Sequence, residues 1–347
     1  MNLRQVGKYL IVEKLGQGAM GEVFKAQDSV LERPVAIKII TGRLSQDEKA
    51  RDRFLREAKA AAQLNHPNII TVYDFGEEQG MAYMAMELLE GRDLRELLER
   101  GEVAATSDKL AIIEQILDGL AFAHAKGVVH RDLKPGNVRI LPSGQVKIMD
   151  FGLARRTEDA AATGVVMGTP YYLAPELAHG ERYTARSDLF SLGAMSYEIL
   201  AGKRPFLGRT IPAVLYAVVH REPTPLAELA PDIPPAVVGV VMCALSKAPD
   251  RRYADAGEMR EALRAAWAGR AGGAEASGAG RAAADTEPAR DLGPPLSARA
   301  ETSDELRAAL EEVDQYLDDK VAPLMAADSV AEFAQTPVDG AAAQIMA

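Results

Sequence analysis

The residues best suited to chemistry lie close together in the middle of the sequence. Asp132, Asn137 and Asp150 carry side-chain oxygens, the ligand type that a magnesium ion holding a phosphate prefers. Two strand-like runs, residues 138–141 and 146–148, separate Asn137 from Asp150 and predict a hairpin. Because the two ends of a hairpin meet, Asn137 and Asp150 can converge on one cation, with Asp132 on the loop just ahead.

A glycine-rich segment near the N-terminus is a second candidate for phosphate binding. Gly16, Gly18, Gly21 and Val23 form the pattern G-x-G-x-x-G-x-V, and glycine lets backbone N–H groups approach a phosphate closely. A dinucleotide-binding turn or a plain hairpin can carry the same pattern. The run that follows, residues 23–26, is strand-like rather than helical, which favours a glycine-rich flap between two antiparallel strands.

Lys38 closes the apolar run Val-Ala-Ile-Lys38, and Glu57 follows 19 residues later within a helical pattern. A buried carboxylate partner would orient the lysine ammonium group toward phosphate oxygens. The lysine could equally extend into solvent, and Glu57 could be an exposed helix residue. These two residues alone leave both interpretations open.

The pattern of apolar residues predicts an α+β protein with two lobes. A small, mainly β lobe is expected over about residues 9–90 and a larger, mainly α lobe over about 91–268. The first lobe should contain one long helix, 46–64. Its expected strands are residues 9–15, 21–26, 35–40, 69–73 and 82–87, with a loop at 77–80.

The composition changes abruptly in the last quarter of the chain. Residues 269–300 are rich in alanine, glycine and proline and predict a flexible linker. Residues 301–347 form an acidic tail with one amphipathic helix expected over about 303–320, because Thr302 and Glu305 make a capping box. Its apolar residues Leu306, Leu310, Val313, Leu317 and Leu324 recur at helical spacing. A single helix of this length is marginal in water, so it should dock on the body, a partner or a second copy.

The charge balance argues against two classes of partner. The net charge is -10, and residues 269–347 hold 15 acidic and 6 basic side chains, which leaves the rest of the chain near neutral. This distribution gives no electrostatic reason to bind nucleic acid or an anionic membrane. No apolar run approaches the roughly 20 residues of a membrane span, the N-terminus does not resemble a signal peptide, and Cys243 is the single cysteine. We expect a cytoplasmic protein without a disulfide framework.

In this order, the motifs resemble those of the eukaryotic-like Ser/Thr protein kinases, and among them the bacterial branch. The similarity extends from about Tyr9 to Trp267. The motifs that carry it are the glycine-rich loop, Val-Ala-Ile-Lys38, His-Arg-Asp132, Asp150-Phe-Gly, Gly168-Thr-Pro170, Ala174-Pro-Glu176 and Asp188-Leu-Phe-Ser-Leu-Gly193. The resemblance implies a protein-kinase-like two-lobed fold and transfer of the γ-phosphoryl group of ATP, with Mg²⁺, to serine or threonine hydroxyls of protein substrates.

The resemblance also implies catalytic roles at the matching positions. Lys38 would hold the α- and β-phosphates and pair with Glu57. Asp132 would accept the proton of the substrate hydroxyl. Asn137 and Asp150 would bind Mg²⁺, so positioning and charge neutralisation should supply most of the rate.

Two further matching residues imply the substrate class. Lys134 would neutralise the transferring phosphate in Ser/Thr members, and Thr169 would bond to Asp132. Asp188 is expected to brace the backbone of the loop at residues 130–132.

The nucleotide contacts follow from the same resemblance. Met86 would be the gatekeeper, the hinge from Glu87 to Leu89 would meet the adenine through its backbone, and Asp93 would contact the ribose. The residues expected above and behind the adenine ring are Leu15, Val23, Ala36 and Met149.

Arg139 departs from the family pattern, because relatives usually place Leu or Met there as the floor of the adenine pocket. An arginine must either stack its planar guanidinium group under the base or turn away and leave the floor thin. Arg139 and the tail also keep a pseudokinase scaffold open as an alternative, although the catalytic residues disfavour it. The peptide-docking motifs speak against a small-molecule phosphotransferase.

The segment from Asp150 to Glu176 resembles an activation loop whose free hydroxyls are Thr157 and Thr163. Arg131 and Arg155 match family positions that bind an activating phosphate. We expect Thr163 to be autophosphorylated and then ordered by these two arginines.

Overall fold

The computed structural model describes residues 4–18, 21–40, 58–78, 80–151 and 170–275. All of these residues belong to one compact unit. The expected helix 46–64 is described only from residue 58, and residues 58–62 are helical. The expected helix at 303–320 lies outside the described residues.

The N-terminal lobe is built on a six-stranded sheet in the order β1-β2-β3-β4-β6-β5, and every neighbouring pair is antiparallel. The strands are β1 (Gln5–Val6), β2 (Tyr9–Gly18), β3 (Gly21–Asp28), β4 (Arg33–Ile39), β5 (Val72–Glu78) and β6 (Met81–Met86). The meander of the first strands and the strand near residues 82–87 agree with the sequence prediction.

The alternation of side chains along β4 places Lys38 on one face of this sheet. Val35, Ile37 and Ile39 are fully buried and pack in one apolar cluster, while Ala36 belongs to a second cluster on the other face. Because successive strand residues point to opposite faces, Lys38 lies on the same face as Ala36.

The strand expected at residues 69–73 is wrong in position. Strand β5 begins at Val72 and continues through Glu78, so the expected loop at 77–80 is also too long. The earlier residues pair with the other lobe instead: Ile70 N donates to Ile148 O at 2.9 Å, and Ile148 N donates to Asn68 O at 2.8 Å. This long-range pairing outweighs the local strand preference of the sequence.

The second lobe is mainly helical, as expected. Its helices are α1 (Leu94–Glu99), α2 (Thr106–Ala125), α3 (Pro175–Ala178), α4 (Ala185–Ala201), α5 (Ile211–His220), α6 (Leu226–Leu229), α7 (Pro235–Ala244) and α8 (Ala256–Glu275). Helix α4 is buried on all sides, begins at a capping box between Thr184 and Ser187, and ends at Gly202, whose φ is 68°. The core of the lobe therefore forms around this helix.

A small sheet in the order β7-β8-β9 lies in this lobe. Strands β8 (Val138–Ile140) and β9 (Val146–Ile148) form the hairpin that the sequence predicts, and β7 (Arg92–Asp93) adds a short strand that it does not. The hairpin joins the loop of Asp132 and Asn137 to Asp150.

Helix α8 continues beyond the expected end of the domain to Glu275, so the first part of the expected linker, residues 269–275, is helical. Alanine favours the helical state, and the helix is held to α2 by an ion pair in which Arg260 lies 2.6 Å from Asp118. The linker therefore begins later than the composition predicts.

Candidate functional site

A loop held by one buried carboxylate carries the central residues of the site. Asp188, at the start of α4, is fully buried and accepts hydrogen bonds from the backbone N–H of His130 at 2.7 Å and of Arg131 at 3.0 Å. Its Oδ2 also lies 2.9 Å from His124 Nε2. The expectation that Asp188 braces this loop is confirmed.

The bracing maintains a backbone conformation that is unfavourable by itself. Arg131 has φ of 71°, in the left-handed region that non-glycine residues rarely adopt. His130 fixes the other side of the loop: its ring packs on Phe151 with centroids 4.7 Å apart, and its Nε2 lies 2.9 Å from Met149 O. The direction of the chain at Asp132 is therefore set by contacts with two other segments, α4 and residues 149–151.

Asp132 lies at the centre of a short polar network. Lys134 Nζ donates to Asp132 Oδ2 at 2.6 Å. Asn137 Nδ2 donates to the Asp132 carbonyl oxygen at 2.8 Å and to Asp132 Oδ2 at 3.1 Å. A 3-10 turn at Pro135–Asn137 brings the asparagine back toward Asp132. A carboxylate, an amide and an ammonium group thus meet within one turn of chain.

Asp150 is joined both to this network and to the opposite lobe. The backbone N–H of Met149 donates to Asn137 O at 2.8 Å, which places Asp150 directly after a residue bonded to Asn137. Lys38 Nζ, from β4, donates to Asp150 Oδ1 at 2.7 Å. The sequence therefore identified residues that the fold brings together from two lobes.

Burial and charge act in opposite directions on Asp150. Burial alone raises the pKa of this carboxyl group, but the positive charge and hydrogen bond of Lys38 outweigh burial and hold the pKa below its ordinary range. The lowered pKa favours the ionised form of Asp150, which is the form that can bind a cation. Among the described residues, no group of three or more His, Cys, Asp or Glu side chains is placed to hold a metal ion.

The residues expected around an adenine ring lie in one apolar cluster. Ala36 and Met86 are buried in it, and Val23, Leu89 and Met149 pack against it. Leu15 is 49% exposed and does not belong to this cluster.

Two other residues expected at the nucleotide have protein partners. Asp93 caps α1 by accepting from Glu96 N at 2.8 Å. The side chain of Glu87 binds Lys147, whose Nζ lies 2.8 Å from Glu87 Oε2. Sequence reasoning missed Lys147, since a lysine in a three-residue strand gives no signal of the buried ion pair that it forms with the hinge.

The guanidinium group of Arg139 is directed to the backbone at the end of the hinge. Its Nη2 donates to Gly91 O at 2.6 Å, while its Nε is buried without a hydrogen-bond partner. Gly91 has φ of 130°, and a Cβ atom there would lie 2.2 Å from Ile140 O, so β7 passes very close to β8. Arg139 therefore ties the β8 strand to the hinge.

The glycine-rich segment lies between two antiparallel strands, as predicted. Gly16 pairs with Val23 and Gly18 with Gly21 in the β2–β3 hairpin. Gly21 has φ of 148°, and a Cβ atom there would lie 2.0 Å from Ile39 O, so this position requires glycine.

Several predicted residues lie outside the described part of the chain, so their placement stays a prediction. They are Glu57, Arg155, Thr157, Thr163 and Thr169. Arg131 is described, and its buried Nε has no hydrogen-bond partner.

Comparison with known proteins gives the class of the molecule. The family described as protein kinase domain matches residues 9–268. A probable serine/threonine-protein kinase of Streptomyces coelicolor, SCO3848, is 43% identical over 279 residues, which cover 78% of this chain and 42% of that protein. The serine/threonine-protein kinase PknA of Mycobacterium tuberculosis is 42% identical over 272 residues, which cover 76% of this chain and 62% of PknA. The crystal structure of the Mycobacterium tuberculosis PknI kinase domain matches with a TM-score of 0.62 at 30% identity, over 75% of this chain and 96% of that one.

The chain therefore belongs to the protein kinase family, has the two-lobed protein-kinase fold, and is similar to bacterial serine/threonine-protein kinases. The resemblance to bacterial serine/threonine protein kinases that its motifs indicate is confirmed. A protein kinase domain implies ATP as phosphoryl donor and a protein as acceptor. The chain spans 42% and 62% of the lengths of the two relatives. Within the described ranges, no helix is both long enough and apolar enough to cross a membrane.

The opposing effects on Asp150 give a testable titration. In Lys38→Met, burial remains while the lysine charge is lost, so the pKa of Asp150 should rise above its ordinary range. NMR of labelled aspartate carboxyl carbons would follow this change, and in the unmodified protein the pKa of Asp150 should lie below the ordinary aspartate range. Lys134→Met, which removes a weaker influence, should raise the pKa less. An unchanged Asp150 titration in Lys38→Met would contradict the assignment.

Proposed function

We propose that this protein is a serine/threonine protein kinase that transfers the γ-phosphoryl group of MgATP to serine and threonine hydroxyls of proteins. The observation that carries the proposal is the network of Asp132, Lys134 and Asn137, joined through the β8–β9 hairpin to Asp150 and its partner Lys38. The identity to serine/threonine-protein kinases supports the same acceptor class.

Each residue of the network has a chemical task in this proposal. Asp132 accepts the proton of the substrate hydroxyl. Lys134, whose Nζ lies 2.6 Å from Asp132 Oδ2, offsets the negative charge on the phosphoryl group during its transfer. Asn137 and Asp150 hold Mg²⁺, which would neutralise charge on the ATP phosphates. Lys38 already lies against Asp150 at 2.7 Å and would turn to the α- and β-phosphates when ATP is present.

The remaining assignments belong to the same proposal. Glu57 pairs with Lys38, Thr169 bonds to Asp132, the glycine-rich loop covers the phosphates, and the cluster around Met86 receives the adenine. The kinase domain spans residues 1–268, its last helix continues to Glu275, and a linker and an acidic tail follow. The protein acts in the cytoplasm on protein substrates rather than on nucleic acid or membranes.

The direct test is phosphoryl transfer from γ-labelled ATP to a generic protein substrate. Asp132→Asn should lower kcat by about a hundredfold or more, because it removes the general base, while ATP still binds. Asp118→Asn, at the contact between α2 and α8 and away from the polar network of Asp132, is the matched control and should retain activity. A pseudokinase would transfer no label even as wild type, and a small-molecule phosphotransferase would label a metabolite and leave proteins unlabelled.

Thr163 is proposed as the activating phosphorylation site. A phosphate adds negative charge and three acceptor oxygens, and the buried Nε of Arg131 has no hydrogen-bond partner, so this arginine retains a donor for it. Phosphopeptide mass spectrometry should find phosphate on Thr163 in active protein, and Thr163→Ala should lower kcat while Thr157→Ala has the smaller effect. Full kinase activity of Thr163→Ala would contradict the proposal that Thr163 is the activating site.

We propose that the guanidinium group of Arg139 does not stack under the adenine base, because it is already hydrogen-bonded to Gly91 O. The lower side of the adenine pocket then lacks an apolar side chain. Arg139→Leu would place an apolar side chain beneath the base and should lower the ATP KM by roughly three- to tenfold. Arg139→Lys places no apolar side chain beneath the base and should leave the ATP KM unchanged. A higher KM in Arg139→Leu would mean that the guanidinium group stacks under the base.

A further inference from the structure

Lys147 is the only buried lysine among the described residues, with 6% of its surface exposed. Lysine is almost never buried without a partner, and here the ammonium group has two. Its Nζ donates to Glu87 Oε2 at 2.8 Å and to Ile69 O at 3.4 Å. Strand β9 thus places a positive charge between the hinge and the segment that leads into β5.

These contacts lie where the chain crosses between the two lobes. At the first crossing, just before β5, Ile70 N donates to Ile148 O of β9 at 2.9 Å. The second crossing follows β6 at Glu87, whose backbone N–H donates to Thr71 O at 2.9 Å. Thr71 N donates in turn to Glu87 Oε2 at 3.3 Å, and the same oxygen accepts Lys147. The two crossings are therefore joined at the Glu87 carboxylate.

The ion pair borders the apolar cluster that is expected to receive the adenine. Glu87 directly follows Met86, which is buried in that cluster, and Lys147 lies two residues before Met149, which packs against it. Because the Glu87 side chain is bonded to Lys147, its backbone is the part left to meet the base. Adenine carries an amino group at C6, a hydrogen-bond donor that a backbone carbonyl oxygen can accept.

We propose that Lys147 is a positioning residue for the nucleotide. It does not touch the base. Through Glu87, it fixes the hinge backbone at the position where that backbone accepts the amino group of adenine. The inference rests on the adenine site of the proposed function and not on phosphoryl transfer itself.

The physical reason is the cost of an unpaired buried charge. The Glu87 side chain is 26% exposed, and Lys147 compensates its carboxylate. Removal of one partner of a buried pair leaves the other charge unfavourably placed, whereas replacement of both by apolar groups is often neutral for stability. In Lys147→Met the carboxylate should turn to solvent and lose its bond to Thr71 N. Glu87 would then be joined to Thr71 by one backbone bond, and the hinge would no longer be fixed.

The test measures the dissociation constants of MgATP and MgITP for the full chain by calorimetry. ITP has an oxygen in place of the adenine amino group, so it cannot donate to the hinge, and wild-type protein should prefer ATP. Lys147→Met should weaken ATP binding about tenfold, the effect of one well-placed hydrogen bond, and ITP binding less than about twofold. Lys109→Met removes an ammonium group that donates to Leu200 O at 3.2 Å, within the larger lobe. It is the matched control and should keep both constants.

The double variant Lys147→Met/Glu87→Leu separates positioning from stability. It should regain the thermal unfolding midpoint that Lys147→Met loses, because no charge is left unpaired. ATP should still bind about tenfold more weakly than to the wild-type protein, because the hinge is still not held. Recovery of ATP affinity together with stability would overturn the proposal, since the role of Lys147 would then be structural.

Three further results would contradict the proposal. They are an equal loss of ATP and ITP affinity in Lys147→Met, wild-type ATP affinity in that variant when folded, and a wild-type protein that binds ATP no better than ITP. If Lys147→Met does not fold, the double variant decides by the same comparison. Failure of the proposed function is distinguishable, because the wild-type protein would then prefer ATP and respond to Lys147→Met, yet transfer no phosphoryl group.

Discussion

The site depends on the carboxylate of Asp188. It is fully buried, and its two oxygens accept the backbone N–H groups of His130 and Arg131. Charge-assisted bonds of this kind are among the stronger ones in proteins, and here they hold Arg131 at a φ of 71°. Helix α4, buried on all sides, supplies the fixed point. A strained turn is thus stabilised by the core of the larger lobe, and the direction of Asp132 follows from it.

A second constraint links this loop to the smaller lobe. The β8–β9 hairpin carries the chain from Asn137 to Asp150, where the ion pair with Lys38 reaches across to β4. Lys147 and Glu87 form another ion pair between β9 and the hinge. Both contacts originate in the same short strand region, so the hairpin that positions the polar network also connects the two lobes. The charges needed for phosphate chemistry are therefore part of the structure that aligns the lobes.

The sequence predicts those features whose determining residues are adjacent in the chain, and it misses those that depend on contacts between distant residues. The hairpin between Asn137 and Asp150 is encoded by adjacent residues, and it was predicted correctly. Strand β5 was misplaced because Asn68 and Ile70 pair with Ile148, far along the chain, and no local pattern reports such a contact. The departure at Arg139 was visible in the sequence, but its bond to Gly91 O depends on the close approach of β7 and β8. Likewise, His124 has no ligand-like spacing, yet the fold places it on Asp188.

The most direct measurement of the central claim is the kcat of Asp188→Asn with a protein substrate, beside its ATP KM and its thermal unfolding. An amide cannot accept both backbone N–H groups as a carboxylate does, so kcat should fall about 10- to 100-fold, with ATP KM little changed. Ser196→Ala is the matched control on the same helix, because the buried hydroxyl of Ser196 has no hydrogen-bond partner, and it should keep wild-type kcat. A folded Asp188→Asn protein with wild-type kcat would contradict the account.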